Sequence, residues 1–202
     1  MSPKLDGILL AAGESRRMGF PKPLLRIGAT TFIAHAAATM LTAVDRLIVV
    51  TGAHRERVEA AVPSEPRITI VDNPDWPRGQ LSSIKAGLAA VSADSDAVVV
   101  HLADHPLVEA ETFRALVSEY ERTLKPIVIA RHDGRRGHPV LFARSIFAEL
   151  FAAPEDRGAR VVVNADPGRV VYADVDDPGV VLDLDTPADL ANAGLAPPPP
   201  GR

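Results

Sequence analysis

The sequence predicts a doubly wound α/β fold, a mainly parallel sheet with helices on both faces. Three observations carry this. Short apolar runs alternate with segments of helical periodicity along nearly the whole chain. Several runs, Val98-Val99-Val100 among them, are continuous in Val, Ile and Leu, as strands covered on both faces are. The chain has 202 residues, 47 % hydrophobic but only 4 % aromatic, which suits one aliphatic core.

The elements follow in order. The run Gly7-Ile8-Leu9-Leu10 opens a strand at 7–12, and a helical pattern occupies 31–41. A strand at 46–51 precedes a helix at 55–62, and a strand at 68–71 precedes a helix at 82–91. The most apolar strand, 97–102, leads to a helix at 110–123. Strands at 127–130 and 140–142 are followed by a helix at 143–151. Strands at 170–173 and 180–183 and a helix at 187–193 complete one domain over residues 1–194. The tail 195–202, rich in proline, is expected to fray as polyproline II.

Composition narrows the function. The chain has no cysteine, so disulfides and thiolate metal sites are excluded and a reducing compartment fits. A formal net charge of −4 lacks the basic surplus of a general nucleic-acid binder. No secretory or membrane-spanning segment is legible, so a cytoplasmic protein without membrane or nucleic-acid partners is expected.

In doubly wound sheets ligands bind beyond the carboxyl ends of the strands. After the first strand comes the stretch LAAGESRRMGFPK, from Leu10 to Lys22. Gly13 and Gly19 permit close backbone approach, and Arg16, Arg17 and Lys22 add positive charge, which suits a polyphosphate. The stretch is neither a P-loop nor the dinucleotide fingerprint, because G-x-x-x-x-G-K-S/T and G-x-G-x-x-G are both absent. A solvated basic turn is the alternative.

The rim also carries acids. Asp104 ends the strand at 97–102, where it either caps the segment beyond or holds a hard cation. Asp183 and Asp185 are two apart and share a face if that segment is extended, although the sequence from Asp185 to Asp189 also reads as a helix cap with Pro187 in the first turn. Together these acids, opposite a basic loop, fit Mg²⁺ bridging phosphate oxygens. A third constellation is Arg78-Gly79-Gln80-Leu81-Ser82-Ser83, a Gly turn feeding a helix, where Gln80 can read a base edge; plain Ser capping is equally open. His101 and His105 lie in a strand–loop context rather than on one helix face, which disfavours a zinc pair. His138 follows a polar loop, 131–137, that is placed to cover a substrate or simply to face solvent.

At these residues the chain resembles the nucleotidyltransferases with a MobA-like domain, relatives of the enzymes that attach CMP or GMP to molybdopterin. The resemblance lies in Leu10-Ala11-Ala12-Gly13 with Ser15, Arg17, Met18, Gly19 and Lys22. Weaker motifs follow in the right order: Gly79 to Leu88, Ala103 to Val108, Gly137 to Phe142, and Leu184 to Leu190. The resemblance implies a Rossmann-like domain of the nucleotide-diphospho-sugar transferase type, condensing a nucleoside triphosphate with a phosphorylated acceptor. It implies that Leu10, Ala11, Ala12, Gly13, Ser15, Arg16 and Gly19 bind the nucleotide and that Arg17 and Lys22 hold the triphosphate. It implies Gln80 and Ser82 beside the base, Mg²⁺ on Asp104 with Asp185 or Asp183, and His138 on the acceptor side. Ala12, where guanylyltransferases typically carry glycine, favours CTP over GTP. The implied acceptor is molybdopterin or a related cofactor precursor, with hand-over to a molybdoenzyme. A sugar- or polyol-phosphate transferase and a non-catalytic cofactor-delivery protein are the competing readings. Retention of Lys22, Asp104 and Asp185 together argues against the second, since a carrier needs no metal carboxylates.

Overall fold

A computed structural model describes residues 2–198 and bears out the doubly wound α/β architecture. In chain order the strands are β1 (Leu5–Leu10), β2 (Arg26–Ile27), β3 (Thr30–Thr31), β4 (Arg46–Thr51), β5 (Ile68–Asp72), β6 (Ala97–Leu102), β7 (Ile127–His132), β8 (Arg135–Ala143) and β9 (Val170–Asp174). The helices are α1 (Phe32–Met40), α2 (Arg55–Glu59), α3 (Gln80–Ala89), α4 (Ala110–Thr123), α5 (Phe147–Ala152), α6 (Arg160–Asn164) and α7 (Pro187–Asn192). Seven strands form one sheet in the order β5-β4-β1-β6-β8-β7-β9, while β2 and β3 make a small separate hairpin. In the large sheet β8 alone runs against its neighbours, β6 and β7.

The central strand explains the double winding. Every residue of β1 is buried. Leu5 and Leu9 face the cluster that α1 and α4 complete with Ile33, Met40 and Phe113. Ile8 and Leu10 face the opposite cluster, which α3 and α5 complete with Leu81, Ile84 and Leu150. A strand with helices on both sides has no polar face, hence the apolar run Gly7-Ile8-Leu9-Leu10 beyond Asp6, whose buried carboxylate accepts from the Ser92 amide. A third, smaller cluster of Met18, Leu25, Phe32, Leu184 and Leu190 ties the loop after β1 to α7.

Three expectations need correction. Residues 180–183 are not a strand: Pro178–Val181 is a 3-10 turn, where Asp177 accepts a hydrogen bond from the Gly179 amide and Pro178 fixes the entry. The polar stretch 131–137 is not a loop. It is the tip of the β7–β8 hairpin, and β8 starts at Arg135 rather than Val140. The helix expected from Ala143 begins at Phe147, after a 3-10 turn over Arg144–Ile146. The short helix α6 and the β2–β3 hairpin were not expected. Of the expected frayed tail, Leu195 packs against the third cluster, and residues 199–202 lie outside the described residues.

Candidate functional site

The carboxyl ends of β1 and β6, the loop after β1, and the amino ends of α3 and α7 enclose a cavity of about 570 Å³. The loop supplies Leu10, Ala11, Ala12, Gly13, Ser15, Arg16, Arg17 and Lys22 to its wall. Across from them stand Gln80, Asp104 and Asp185, so eleven of the candidate residues converge. Local bonds shape the loop. Ser15 adopts a left-handed conformation with φ 58°, and its hydroxyl accepts a hydrogen bond from the Lys22 amide at 3.0 Å, closing the loop on itself. Arg16 turns to its neighbour Glu14, at 2.7 Å.

The charged centre is compact. Lys22 Nζ lies 2.5 Å from Asp104 Oδ2 and 2.7 Å from Asp185 Oδ1, and only 12 % of its side chain is exposed. Arg17 Nη2 reaches the other oxygen of Asp185 at 2.6 Å. Burial works against the Lys22 charge, but the two carboxylates outweigh it and hold its pKa above the ordinary value. The Lys22 hydrogen bond, against a smaller effect of burial, holds the Asp185 carboxyl below the usual range. Neither acid is a helix cap. Thr186 caps α7 in a capping box with Asp189, which leaves Asp185 free. No side chain caps α4: the buried Asp177 accepts from Glu109 N just before the helix and from the Thr112 hydroxyl, and Asp104 takes no part, so Asp104 is free as well.

Four candidates stand outside this cavity. Gly19 sits in an exposed turn with φ 69°. Ser82 is buried: its hydroxyl accepts from Asn73 Nδ2 and lies 2.8 Å from Gly79 O, so it pins the turn that enters α3. That turn needs Gly79, whose φ is 110°. Asp183 and His138 line a second, adjoining cavity of about 1250 Å³, which Gln80 also borders. Asp183 and Asp185 therefore face different spaces. His138 is part of β8, and its Nδ1 is enclosed without a partner.

The sequence reading passed over Trp76 and gave no role to Ser83, both of which line the first cavity, and it weighed His105, which lines the second, only against a zinc pair. The available signal for Trp76 was a lone tryptophan in the turn before α3. Among the described residues no group of three or more His, Asp or Glu is placed to hold a metal ion. The shared position of Lys22 Nζ shows that two carboxylates, Asp104 and Asp185, converge on one cation.

Residues 7–170 match the MobA-like NTP transferase domain. The chain is 28 % identical over 190 residues to the molybdenum cofactor cytidylyltransferase of Escherichia coli K12, covering 94 % of this chain and 95 % of that protein. It is 34 % identical to the nicotine blue oxidoreductase of Paenarthrobacter nicotinovorans, covering 91 % and 93 %. The crystal structure of Rv0371c from Mycobacterium tuberculosis superposes with a TM-score of 0.81 at 30 % identity, covering 95 % and 97 %, and that protein has also been solved in complex with manganese. The matched segment runs from β1 to the start of β9 and supplies every wall of the first cavity except Asp185, and the chain belongs to the MobA-like NTP transferase domain family: it is a nucleotidyltransferase.

Proposed function

We propose that the protein transfers a nucleoside monophosphate, CMP in preference to GMP, from the triphosphate to a phosphorylated acceptor, releasing pyrophosphate in a Mg²⁺-dependent reaction. The acceptor is molybdopterin or a related cofactor precursor, and the product passes to a molybdoenzyme in the cytoplasm. The observation that carries the reading is the convergence of Asp104 and Asp185 on one cation position beside Arg17. Mg²⁺ commonly takes one or two carboxylates and fills its remaining sites with phosphate oxygens and water, and a two-carboxylate pair fits that demand. When bound, the cation offsets the charge between the α-phosphate and the acceptor's phosphate.

The chain's own residues do the rest. A phosphate monoester is mostly ionised at neutral pH, its second pKa being about 6, so the acceptor needs no general base. An acceptor phosphate oxygen forms a bond to the α-phosphorus as the bond from that phosphorus to the α–β bridging oxygen breaks, and pyrophosphate leaves. Lys22 stabilises charge building on the α-phosphate, and Arg17 with the loop amides holds the pyrophosphate. Gly13, with no atom near its Cβ position, lets the phosphates approach the main chain. Trp76 and Gln80, which line the same cavity, would receive the base. Ala12, buried in the wall, together with the name of the cytidylyltransferase relative, supports CTP.

The test is pyrophosphate release from CTP, GTP, ATP and UTP with a phosphorylated pterin, with and without Mg²⁺, beside melting-temperature shifts for each nucleotide. The relative named an oxidoreductase supplies a second reading. Redox turnover of nicotine blue with no pyrophosphate release from any nucleotide would establish that reading and remove ours.

A further inference from the structure

The two cavities adjoin, with Gln80 bordering both, and two short segments divide their side chains between them. Asp104 and Asp185 face the first cavity. Their near neighbours His105 and Asp183 face the second. Whereas Lys22 bridges the first pair, the second pair bonds directly: His105 Nε2 lies 3.0 Å from Asp183 Oδ1. The partners differ sharply in environment, since the His105 side chain is 5 % exposed and that of Asp183 75 % exposed. One is a fixed group in the wall; the other is a carboxylate on the solvent side that can swing away.

The imidazole is held from several directions. His101 Nε2 lies 3.1 Å from the His105 carbonyl oxygen and fixes the main chain there. The rings of His101 and His138 pack edge-on against His105 at 6.3 and 5.7 Å between centroids. His105 Nδ1 is enclosed and has no partner, so Nε2 is the one polar atom this ring offers to a ligand. A carboxylate only accepts, so Nε2 carries the hydrogen that Asp183 receives. Arg135 and Arg136 border the same cavity and keep it attractive to anions.

We infer that His105 binds the acceptor's phosphate, its Nε2–H passing from Asp183 to a phosphate oxygen as the acceptor arrives. A carboxylate is the oxyanion that keeps this donor satisfied while the cavity holds no acceptor, and a phosphate is the oxyanion that replaces it. His105 follows Asp104 directly, and Gln80 borders both cavities, so a phosphate held at His105 would lie in the cavity adjoining the nucleotide's. The inference rests on the transferase reading for its acceptor, but its test does not depend on turnover.

The probe is inorganic phosphate, titrated into protein carrying ¹⁵N-histidine, with the His105 ring signals identified by their loss in His105→Gln. The expected result is a saturable shift of the His105 Nε2 signal. In Asp183→Asn, which removes the competing anion, the midpoint should fall several-fold. A His105 signal that does not move overturns the inference. So does a shift with the same midpoint in Asp183→Asn, which would mean phosphate in the first cavity acting at a distance. In turnover, His105→Leu should raise the KM for the acceptor about tenfold and leave the KM for the nucleotide unchanged, and His105→Gln, whose amide also donates, should recover most of the loss. Equal effects on both substrates overturn it too. Absence of pyrophosphate release in the wild type would instead strike the transferase reading and leave the spectroscopic result standing.

Discussion

Lys22 Nζ meets Asp104 Oδ2 at 2.5 Å across 82 positions of sequence. The loop after β1 and the end of β6 thus share one charge pair at the floor of the cavity, and its acid is the first residue to test. Asp104→Ala should lower turnover a hundredfold or more, about the effect of removing one preorganised charged contact at a reacting phosphate. Mn²⁺ binding in the presence of nucleotide, followed by electron paramagnetic resonance, should weaken in parallel. Near-normal metal-dependent turnover would remove Asp104 from the site.

The same pair predicts opposite effects of one substitution on two measurements. Lys22 neutralises the carboxylates in the free protein, so it competes with any cation that would settle between them. Lys22→Met should therefore bind Mn²⁺ more tightly than the wild type when no nucleotide is present. Its kcat should nonetheless fall by about 10²–10³, the scale of losing one donor to a developing charge. A rise in KM with unchanged kcat would assign Lys22 to ground-state binding instead.

Acid should destabilise the fold through its enclosed histidines. Burial, with help from the neighbouring His105 and against the pull of Asp104, pushes the His138 pKa down to about 4. Unfolded histidine takes its proton near pH 6.5. Between those values the unfolded chain binds a proton that the folded chain refuses, so stability rises with pH. It is complete above pH 6.5 and declines as pH falls toward 4, by about 3 kcal/mol in all. His101, held neutral by burial, acts in the same direction. Urea unfolding at pH 4.5 and 7.5 measures the slope, and His138→Gln should flatten part of it. An unchanged slope would mean that His138 titrates normally.

On the proposed reading, the base preference turns on a methyl group. Ala12 is buried in the cavity wall, and its Cβ lies 2.8 Å from the point a Cβ on Gly52 would occupy. Ala12→Gly widens the wall without altering charge. It should narrow the ratio of kcat/KM for CTP over GTP, by about tenfold or less, as removal of one methyl from a pocket does. An unmoved ratio would place base selection elsewhere, with Trp76 and Gln80 as the next residues to vary.

How much of this the sequence disclosed depends on whether the deciding contact is local. The basic loop and Asp104 were legible because each directly follows an apolar strand, and strand ends in such sheets point into the ligand cleft. The hairpin at 131–137 was missed although its signal is local: Asp133 and Gly134 both have positive φ, at 47° and 74°, the two-residue turn that joins adjacent antiparallel strands. The resemblance put Ser82 beside the base, and the bond that ties its hydroxyl into the fold was not legible because its partner, Asn73, lies on the far side of the Gly79 turn. Asp183 and Asp185 looked like one pair because period-2 reasoning assumes a strand. The chain instead leaves a 3-10 turn at Val181, and the two carboxylates part toward separate cavities.

That turn supplies the last prediction. Gly137 in β8 passes so close to it that an added Cβ would lie 1.9 Å from Val180 O and 2.7 Å from Val180 C. Both are main-chain atoms, so the segment itself must move. Gly137→Ala should cost about 1–3 kcal/mol, the range for overpacking. The displaced segment leads to Asp183 and Asp185, so the damage should also reach function: a higher KM for the acceptor and weaker Mn²⁺ binding. Gly13 provides the contrast, because nothing lies within 4 Å of its Cβ position. Gly13→Ala should keep wild-type stability in urea while impairing nucleotide binding, since only the bound triphosphate would meet the new methyl. If Gly137→Ala unfolds at the wild-type urea concentration, the close contact between β8 and the 178–181 turn does not constrain the site.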